Sequence, residues 1–310
     1  MLKTGFVGCV PDIVYRSISG HPGFEPTGFF IPDMNKSAIP GWTKKYIPFL
    51  SLEDLLSNSD VLIIQRAGPG YAGIITKALK HSRHVLLLEA TGLSLSLVRR
   101  ITALHSEAQS VIKILHPSRT NPALKAAMPM VTHPSFFDIR LHAPRHQAQT
   151  SLLCESPGCH LLEMLDAMLY LCPVNIQKIR CFSHSPGISS TGPLNARIEF
   201  DNGSVANILF SGFTERKDFR IFIYQEYNLV EMDLEKRLIN VNKSKDPDTI
   251  KSYSQEFEED IAGKAAYREL DNFYQSIIHN THSGKDLFEI SRLIELCHSI
   301  TGKFFLTEPA

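Results

Sequence analysis

Apolar residues in the first third of the chain form short continuous runs that alternate with longer amphipathic stretches. The runs TGFVGCV (4–10), VLIIQRA (61–67) and HVLLLEA (84–90) are typical of strands that are covered on both faces. Stretches between them, such as SLSLVRRITALHSEAQ, indicate helices. Strands that alternate with helices at this spacing predict a doubly wound (Rossmann) parallel sheet, built from right-handed crossovers.

After Pro117 the pattern changes. GCHLLEMLDAMLYLC (158–172) predicts a helix with an apolar face, and strand-like segments follow it, with turn signals at Asp201-Asn202-Gly203 and Glu226-Tyr227-Asn228. Two helical segments end the chain. We predict a C-terminal α+β domain with an open, mainly antiparallel sheet that packs on helices with one face.

The length of the chain agrees with this change of pattern. A chain of 310 residues exceeds the size at which a single core usually stops growing. We therefore predict two domains, residues 1–118 and residues 119–310. The last helix is a candidate to pack back on the first domain.

Composition and charge narrow the classes of function. The chain is 43% hydrophobic and has a formal net charge of +0, so it lacks the basic footprint of a nucleic-acid-binding protein. No apolar run approaches the length of a membrane span, and because the chain begins with a strand we expect no signal peptide.

The six cysteines are expected to be reduced thiols of a cytoplasmic protein. Cys154, Cys159 and His160 are imaginable metal ligands, but their spacing fits no zinc pattern well. We expect buried apolar cysteines there and no metal.

The turn after the first strand carries the first chemical signal. Ligands of doubly wound sheets bind at the carboxyl ends of the strands, and a dinucleotide loop there uses three glycines. The turn here reads Gly8-Cys9-Val10-Pro11-Asp12-Ile13, in which Gly8 alone fits. Val10 puts a branched side chain where a phosphate should approach, and Pro11 lacks an N–H donor.

Four later stretches, taken with the order of elements, resemble the glucose-fructose oxidoreductase / inositol dehydrogenase / rhizopine-catabolism (Gfo/Idh/MocA) family. They are DVLIIQRAGPGYAGIITKALKHSRHVLLLEA, KILHPSRTNPALKAA, SPGCHLLEML and ARIEFDNGSVANILFSG. The resemblance implies an NAD- or NADP-binding first domain and a second domain that binds a sugar or cyclitol-like substrate. It also implies hydride transfer, and a homodimer or homotetramer that forms through the open sheet.

The resemblance places the cofactor site in the first domain. Its phosphate loop falls on Gly8, Cys9 and Val10. The acid that binds the ribose aligns with Ile31, and Asp33 is the candidate to replace it after a shift of the loop.

Two later segments complete the implied cofactor site. Pro69 and Tyr71 match the loop along the nicotinamide, where Tyr71 stands at the position of a histidine. Glu89 matches the glutamate of a Glu-Lys-Pro motif whose lysine is here Ala90, and it either joins the cofactor site or holds the turn after its strand. Arg66, at a strand's carboxyl end, either replaces lost anion contacts or is a solvated arginine at the rim.

The resemblance places the substrate site around SPGCHLLE (156–163). Gly158 and His160 match the family motif, Glu163 replaces its last aspartate, and its first aspartate is Ser156 here. His160 is either the general base that takes the substrate's hydroxyl proton or a packed residue of the helix. Arg119 either contacts substrate or forms an interdomain salt bridge.

Three functions remain open at this point. The first, which we predict, is an NAD(P)-dependent oxidoreductase with a degenerate site that acts on a sugar or cyclitol-like substrate. The second is a non-catalytic relative that serves as a binding or assembly module, because the losses at one site are many. The third is an enzyme that binds another nucleotide or anion in the same cleft.

Overall fold

The structure is a computed structural model. It describes residues 1–32, 41, 43, 48–67, 70–90, 93–107, 110–115, 117–144, 157–183, 193–246, 249–258, 261–281 and 285–302. The chain divides into two compact units: the first consists of Met1–His116 and Ala262–Ile294, the second of Pro117–Ile261 and Glu295–Ala310. The roles of the predicted domains in cofactor and substrate binding stay predictions.

The first unit contains a five-stranded parallel sheet with the strand order β2-β1-β3-β4-β5. Helices connect its strands, so the predicted doubly wound fold is confirmed. Its elements are β1 Leu2–Val7, α1 Asp12–Ser19, β2 Phe24–Phe30, α2 Leu52–Ser57, β3 Val61–Ile64, α3 Tyr71–Lys80, β4 His84–Leu87, α4 Leu95–Glu107 and β5 Ile112–Ile114.

The core of the first unit is completed from the far end of the chain. Phe6 of β1, Ile63 of β3 and Leu86 of β4 have no exposed surface. They share one apolar cluster with Leu270 and Phe273, which belong to a helix that follows the first segment of the second unit in sequence. That helix is Ile261–Ile278, and the chain continues into the helix Lys285–Gly302.

A buried histidine ties this returning helix to the sheet. Nδ1 of His21 accepts a hydrogen bond from the Gly23 N–H at 3.0 Å, and Nε2 lies 3.2 Å from Oδ1 of Asp271. Because Nδ1 accepts, the proton is on Nε2 and is donated to the carboxylate. Gly23 lets the helix approach, since a methyl group there would lie 2.3 Å from the Tyr274 ring.

The second unit is built on an eight-stranded sheet with the order β13-β12-β11-β10-β6-β9-β8-β7. The pair β6–β9 is parallel and the other pairs are antiparallel. The prediction of a mainly antiparallel sheet is confirmed. Its strands are β6 Pro134–Pro144, β7 Ile176–Ser183, β8 Leu194–Phe200, β9 Val205–Thr214, β10 Asp218–Gln225, β11 Asn228–Asp233, β12 Leu238–Asp246 and β13 Thr249–Glu256.

Helices pack on one face of this sheet. Phe137, Ile139 and Leu141 alternate along β6 on that face and have no exposed surface, whereas Phe136 and Arg140 on the other face are partly exposed.

The remaining elements, in chain order, are α5 Pro117–Thr120, α6 Pro122–Ala127, the 3-10 helix Met128–Met130, α7 Pro157–Leu171, α8 Ile261–Ile278 and α9 Lys285–Gly302. Among the helices that the structure describes, none is long and apolar enough to cross a membrane.

Phe273→Ala should destabilise the first unit by about 3–5 kcal/mol, because it empties a fully buried aromatic site of the core. Ile278→Ala, at the half-exposed end of α8, is the matched control and should cost about 1 kcal/mol or less. Hydrogen exchange, followed by mass spectrometry, should show lost protection in peptides from β1 and β3. Unchanged protection in those strands would contradict the placement of α8.

Candidate functional site

The turn after β1 is held by bonds within the first unit. Gly8 has φ +83°, a left-handed conformation that glycine adopts without strain. Its N–H donates to the Phe30 carbonyl at 2.9 Å, and the Val10 N–H donates back to the Gly8 carbonyl at 3.2 Å. The Cys9 N–H donates to Oε1 of Gln65, the residue after β3, at 2.8 Å.

Side chains also fill the space directly over this turn. A methyl group added at Gly8 would lie 2.7 Å from Oε1 of Gln65 and 2.7 Å from the hydroxyl of Tyr71. The Arg66 guanidinium stands over the Tyr71 ring, 5.7 Å from its centre. Gln65, Arg66 and Tyr71 therefore lie together at the carboxyl end of β3.

The turn does not fit the pyrophosphate of a dinucleotide in the way that a glycine-rich loop does. Such a loop offers free backbone N–H groups at the start of a helix. Here the amides of residues 8, 9 and 10 donate within the protein, and Pro11 has none. The first turn of α1 also carries the carboxylate of Asp12, which repels an anion.

One expectation about this loop differs from the structure. The branched side chain of Val10 has no exposed surface and packs into the core of the first unit, so it does not occupy the phosphate position. Glu89 is half-buried just after β4. Asp33 and Pro69 lie outside the described residues, and their expected roles stay predictions.

The second unit brings His160 and Glu163 together on one face of α7. Nδ1 of His160 lies 3.8 Å from Oε2 of Glu163, an ion-pair distance beyond hydrogen-bonding range. Lys217, just before β10, donates to both Glu163 oxygens at 3.1 Å and lies 3.2 Å from a carboxylate oxygen of Glu235. We call His160, Glu163, Lys217 and Glu235 the α7 charge cluster.

Opposing effects set the charges in this cluster. Burial acts to raise the pKa of Glu163, but the neighbouring His160 and Lys217 outweigh it, and the pKa lies below its usual value. Burial acts to lower the pKa of Lys217, but the carboxylates of Glu163 and Glu235 outweigh it and raise that pKa. Glu163 and Lys217 are therefore both charged at neutral pH.

The imidazole of His160 is held in a fixed plane. Its ring stacks on Phe210 of β9 with centres 5.6 Å apart, which fixes the plane of the imidazole. Within the described part of the chain, buried Nδ1 has no hydrogen-bond partner. A fixed imidazole beside an ionised carboxylate is suited to accept a proton from a ligand hydroxyl.

Arg119 is held inside the second unit. Its Nε lies 3.0 Å and its Nη2 lies 2.6 Å from Oδ1 of Asp166 on α7, and the guanidinium stands 5.5 Å from the centre of the Tyr170 ring. This salt bridge joins α5 to α7 and does not cross between the units. Gly158, the other expected substrate residue, lies in the first turn of α7.

Sequence reasoning missed Gln65, Lys217 and Glu235. A polar residue at the end of the apolar run VLII was a usable signal for Gln65. Lys217 and Glu235 stand among other charges in loops, so nothing in their spacing singles them out. The described residues contain no group of side chains that could hold a metal ion, and Cys154 lies outside them.

A double-mutant cycle of Lys217→Met and Glu163→Gln should give a coupling energy of about 1–3 kcal/mol at pH 7. Because the pKa of Glu163 is lowered and that of Lys217 is raised, the coupling should be full between about pH 4.3 and pH 10.4. It should fall as the pH drops through the folded-state pKa of Glu163, and again as the pH rises through that of Lys217. Urea unfolding at pH 7 and near pH 3 measures it, and an equal coupling at both would contradict the ion pair.

Comparisons with known proteins identify the fold of the chain but no sequence family. No family model matches the chain, and no curated protein matches its sequence. Its structure is similar to UDP-N-acetylglucosamine 3-dehydrogenase GnnA from Acidithiobacillus ferrooxidans, with a TM-score of 0.82 and 16% identity over 99% of each chain.

Two further solved structures agree with this. A putative NADPH-dependent oxidoreductase from Desulfitobacterium hafniense has a TM-score of 0.81 and 13% identity, covering 100% of this chain and 97% of its own. Levoglucosan dehydrogenase in complex with NADH has a TM-score of 0.77 and 12% identity, covering 98% and 97%. The chain therefore has the fold of these dehydrogenases, and the resemblance to the Gfo/Idh/MocA family is confirmed at the level of the fold.

Proposed function

We propose that this chain is a divergent Gfo/Idh/MocA relative that serves as a binding or assembly module and does not hold NAD or NADP in the family's manner. The observation that carries the proposal is the closed turn after β1. The amides of Gly8, Cys9 and Val10 are used within the protein, Pro11 has no N–H, and Gln65 and Tyr71 crowd Gly8.

A sugar-like molecule is the ligand class that best suits the α7 charge cluster. Hydroxyl groups both donate and accept hydrogen bonds. The Glu163 carboxylate and the His160 imidazole are groups of the kinds that bind hydroxyls. Solved structures with this fold include levoglucosan dehydrogenase with NADH and L-sorbose, which supports a small polyol or sugar as the ligand.

NAD(P)-dependent oxidation or reduction of a sugar or cyclitol is the second candidate. The placement of His160 beside Glu163 favours it, and so do similar structures that are described as NADH-bound or NADPH-dependent. His160 would then accept the hydroxyl proton of the substrate. The degenerate loop gives no geometry for the cofactor, so no further step is assigned.

Titration with NAD⁺, NADH, NADP⁺ and NADPH should give neither heat nor a thermal shift at millimolar concentration, because the amides of residues 8–10 are already paired. Isothermal calorimetry and thermal unfolding measure this. Gln65→Ala, which frees the Cys9 N–H, is the informative variant: because the closed turn limits binding, this variant should give measurable heat with at least one of the four cofactors.

Saturable binding of one of the four cofactors, with turnover of a sugar, would overturn the first proposal in favour of the second. His160→Ala should then lower kcat by about 10²-fold or more, as loss of a general base does. His142→Ala, on β6 of the same unit, is the matched control. Unchanged turnover in His160→Ala would remove His160 from the mechanism.

We further propose that the sheet face opposite the helices forms a homodimer or a dimer of dimers. Phe136 and Tyr224 are register partners on that face with ring centres 5.8 Å apart, and Tyr224 is 42% exposed. Leu229, the register partner of Tyr224 on β11, extends this apolar surface. Such surfaces mark protein interfaces when they are contiguous. A cytoplasmic location, expected from the cysteine content, stays a prediction.

Tyr224→Arg should weaken self-association by at least about 30-fold, the effect of losing about 2 kcal/mol at an interface hot spot. Light scattering at micromolar concentration should show an oligomer for the wild type and a monomer for the variant. Phe288→Arg, at an exposed aromatic residue of the first unit, should stay oligomeric. A monomeric wild type would contradict the interface.

A further inference from the structure

The hairpin of β12 and β13 forms one wall of an open cavity of about 510 Å³ in the second unit. This volume falls within the range of about 300–1,000 Å³ that is usual for small-molecule sites. The cavity shares no residue with the α7 charge cluster. Its lining residues are Met130, Val241, Lys243, Thr249, Lys251, Ser252 and Tyr253.

Two lysines face each other in this wall. Lys243 and Lys251 are direct register partners of the antiparallel pair, so their side chains leave the same face of the hairpin. Like charges directly opposite each other destabilise a sheet. In the described part of the chain neither lysine forms an ion pair, whereas Lys77 and Lys113 lie 2.7 Å and 2.9 Å from glutamate oxygens.

The opposite wall of the cavity is held in place by Gln225. Its Nε2 donates to the Met130 carbonyl at 2.9 Å, and its Oε1 accepts from the Thr132 and His133 N–H groups at 2.8 Å and 3.0 Å. At the Lys243 end, the Ser244 N–H donates to the Tyr227 carbonyl at 2.9 Å. These hydrogen bonds of the Gln225 side chain and of the backbone hold the walls of the cavity in place.

The remaining lining residues are suited to contact the uncharged part of a ligand. The hydroxyls of Tyr253 and Ser252 already donate to Gln255 and Asn242. The Tyr253 ring, the thioether of Met130 and the buried Val241 are left as apolar surface. The Thr249 hydroxyl is a further donor beside the two ammonium groups.

We propose that this cavity binds a small organic phosphate ester. Its dianion neutralises Lys243 and Lys251 together, which removes the repulsion between them, and its ring or carbon body lies against Tyr253, Met130 and Val241. Lysine is a common partner of phosphate in proteins and acts as a point charge. This site is independent of the proposed function.

Edge protection explains part of this arrangement but not all of it. Lysines on an edge strand prevent pairing with other sheets, and β13 is the edge of this sheet. That role accounts for Lys251. It does not account for Lys243, because β12 is paired on both sides, with β11 and β13.

The test is calorimetric titration of the full chain with inorganic phosphate, glucose 6-phosphate and phenyl phosphate, and with glucose and phenol as their uncharged counterparts. The two esters should bind more tightly than inorganic phosphate, and glucose and phenol should not bind. Lys243→Ala and Lys251→Ala should each weaken ester binding about tenfold, and the double variant about 100-fold, as expected for lost charge-assisted contacts. Binding should also weaken with added salt.

Lys178→Ala is the matched control, an exposed lysine on β7 at the other edge of the same sheet. It should bind the esters as the wild type does. The double variant should unfold at the same temperature as the ligand-free wild type or higher, because a repulsion is removed.

Three results would overturn the site: no ester binding at millimolar concentration, equal binding by the double variant and the wild type, or equal losses in Lys178→Ala. Self-association of the double variant without any change in ester binding would assign the lysines to edge protection alone.

Discussion

The hydrogen bond between the Cys9 amide and Gln65 constrains what the first unit can bind. It joins the turn after β1 to the end of β3, the two places where a doubly wound sheet presents ligands. An amide that is paired inside the protein is not available to an anion unless the side chain moves away. Gly8 keeps the left-handed turn, so the backbone path of a nucleotide loop survives although the N–H groups of residues 8–10 donate within the protein.

Most of the fold could be predicted because burial leaves a strong signal in sequence. The continuous runs at β1, β3 and β4 reflect coverage on both faces, and the alternation along β6 and β9 reflects a sheet with one covered face. The turn signals at Asp201-Asn202-Gly203 and Glu226-Tyr227-Asn228 fall between the antiparallel pairs β8–β9 and β10–β11.

The candidate site could be predicted only in part. A family pattern identifies residues that keep their type, such as His160 and Gly8. It does not identify residues at other positions that form new contacts in the site. Gln65 acts through an amide on the neighbouring loop, and Lys217 acts through a carboxylate 54 positions earlier in the chain. Such contacts depend on side-chain directions in the folded unit, which no local spacing encodes. Val10 shows the same limit, because its burial depends on how the turn is tilted.

The return of α8 to the first unit has a consequence for how the chain folds during synthesis. The β-sheet of that unit is complete by residue 116, but Leu270 and Phe273 of its core follow the 145 residues of Pro117–Ile261. At a synthesis rate of about 5–20 residues per second, the apolar surface on which α8 will pack stays uncovered for about 7–29 seconds. During that interval, the apolar surface that Phe273 later covers is available to a chaperone.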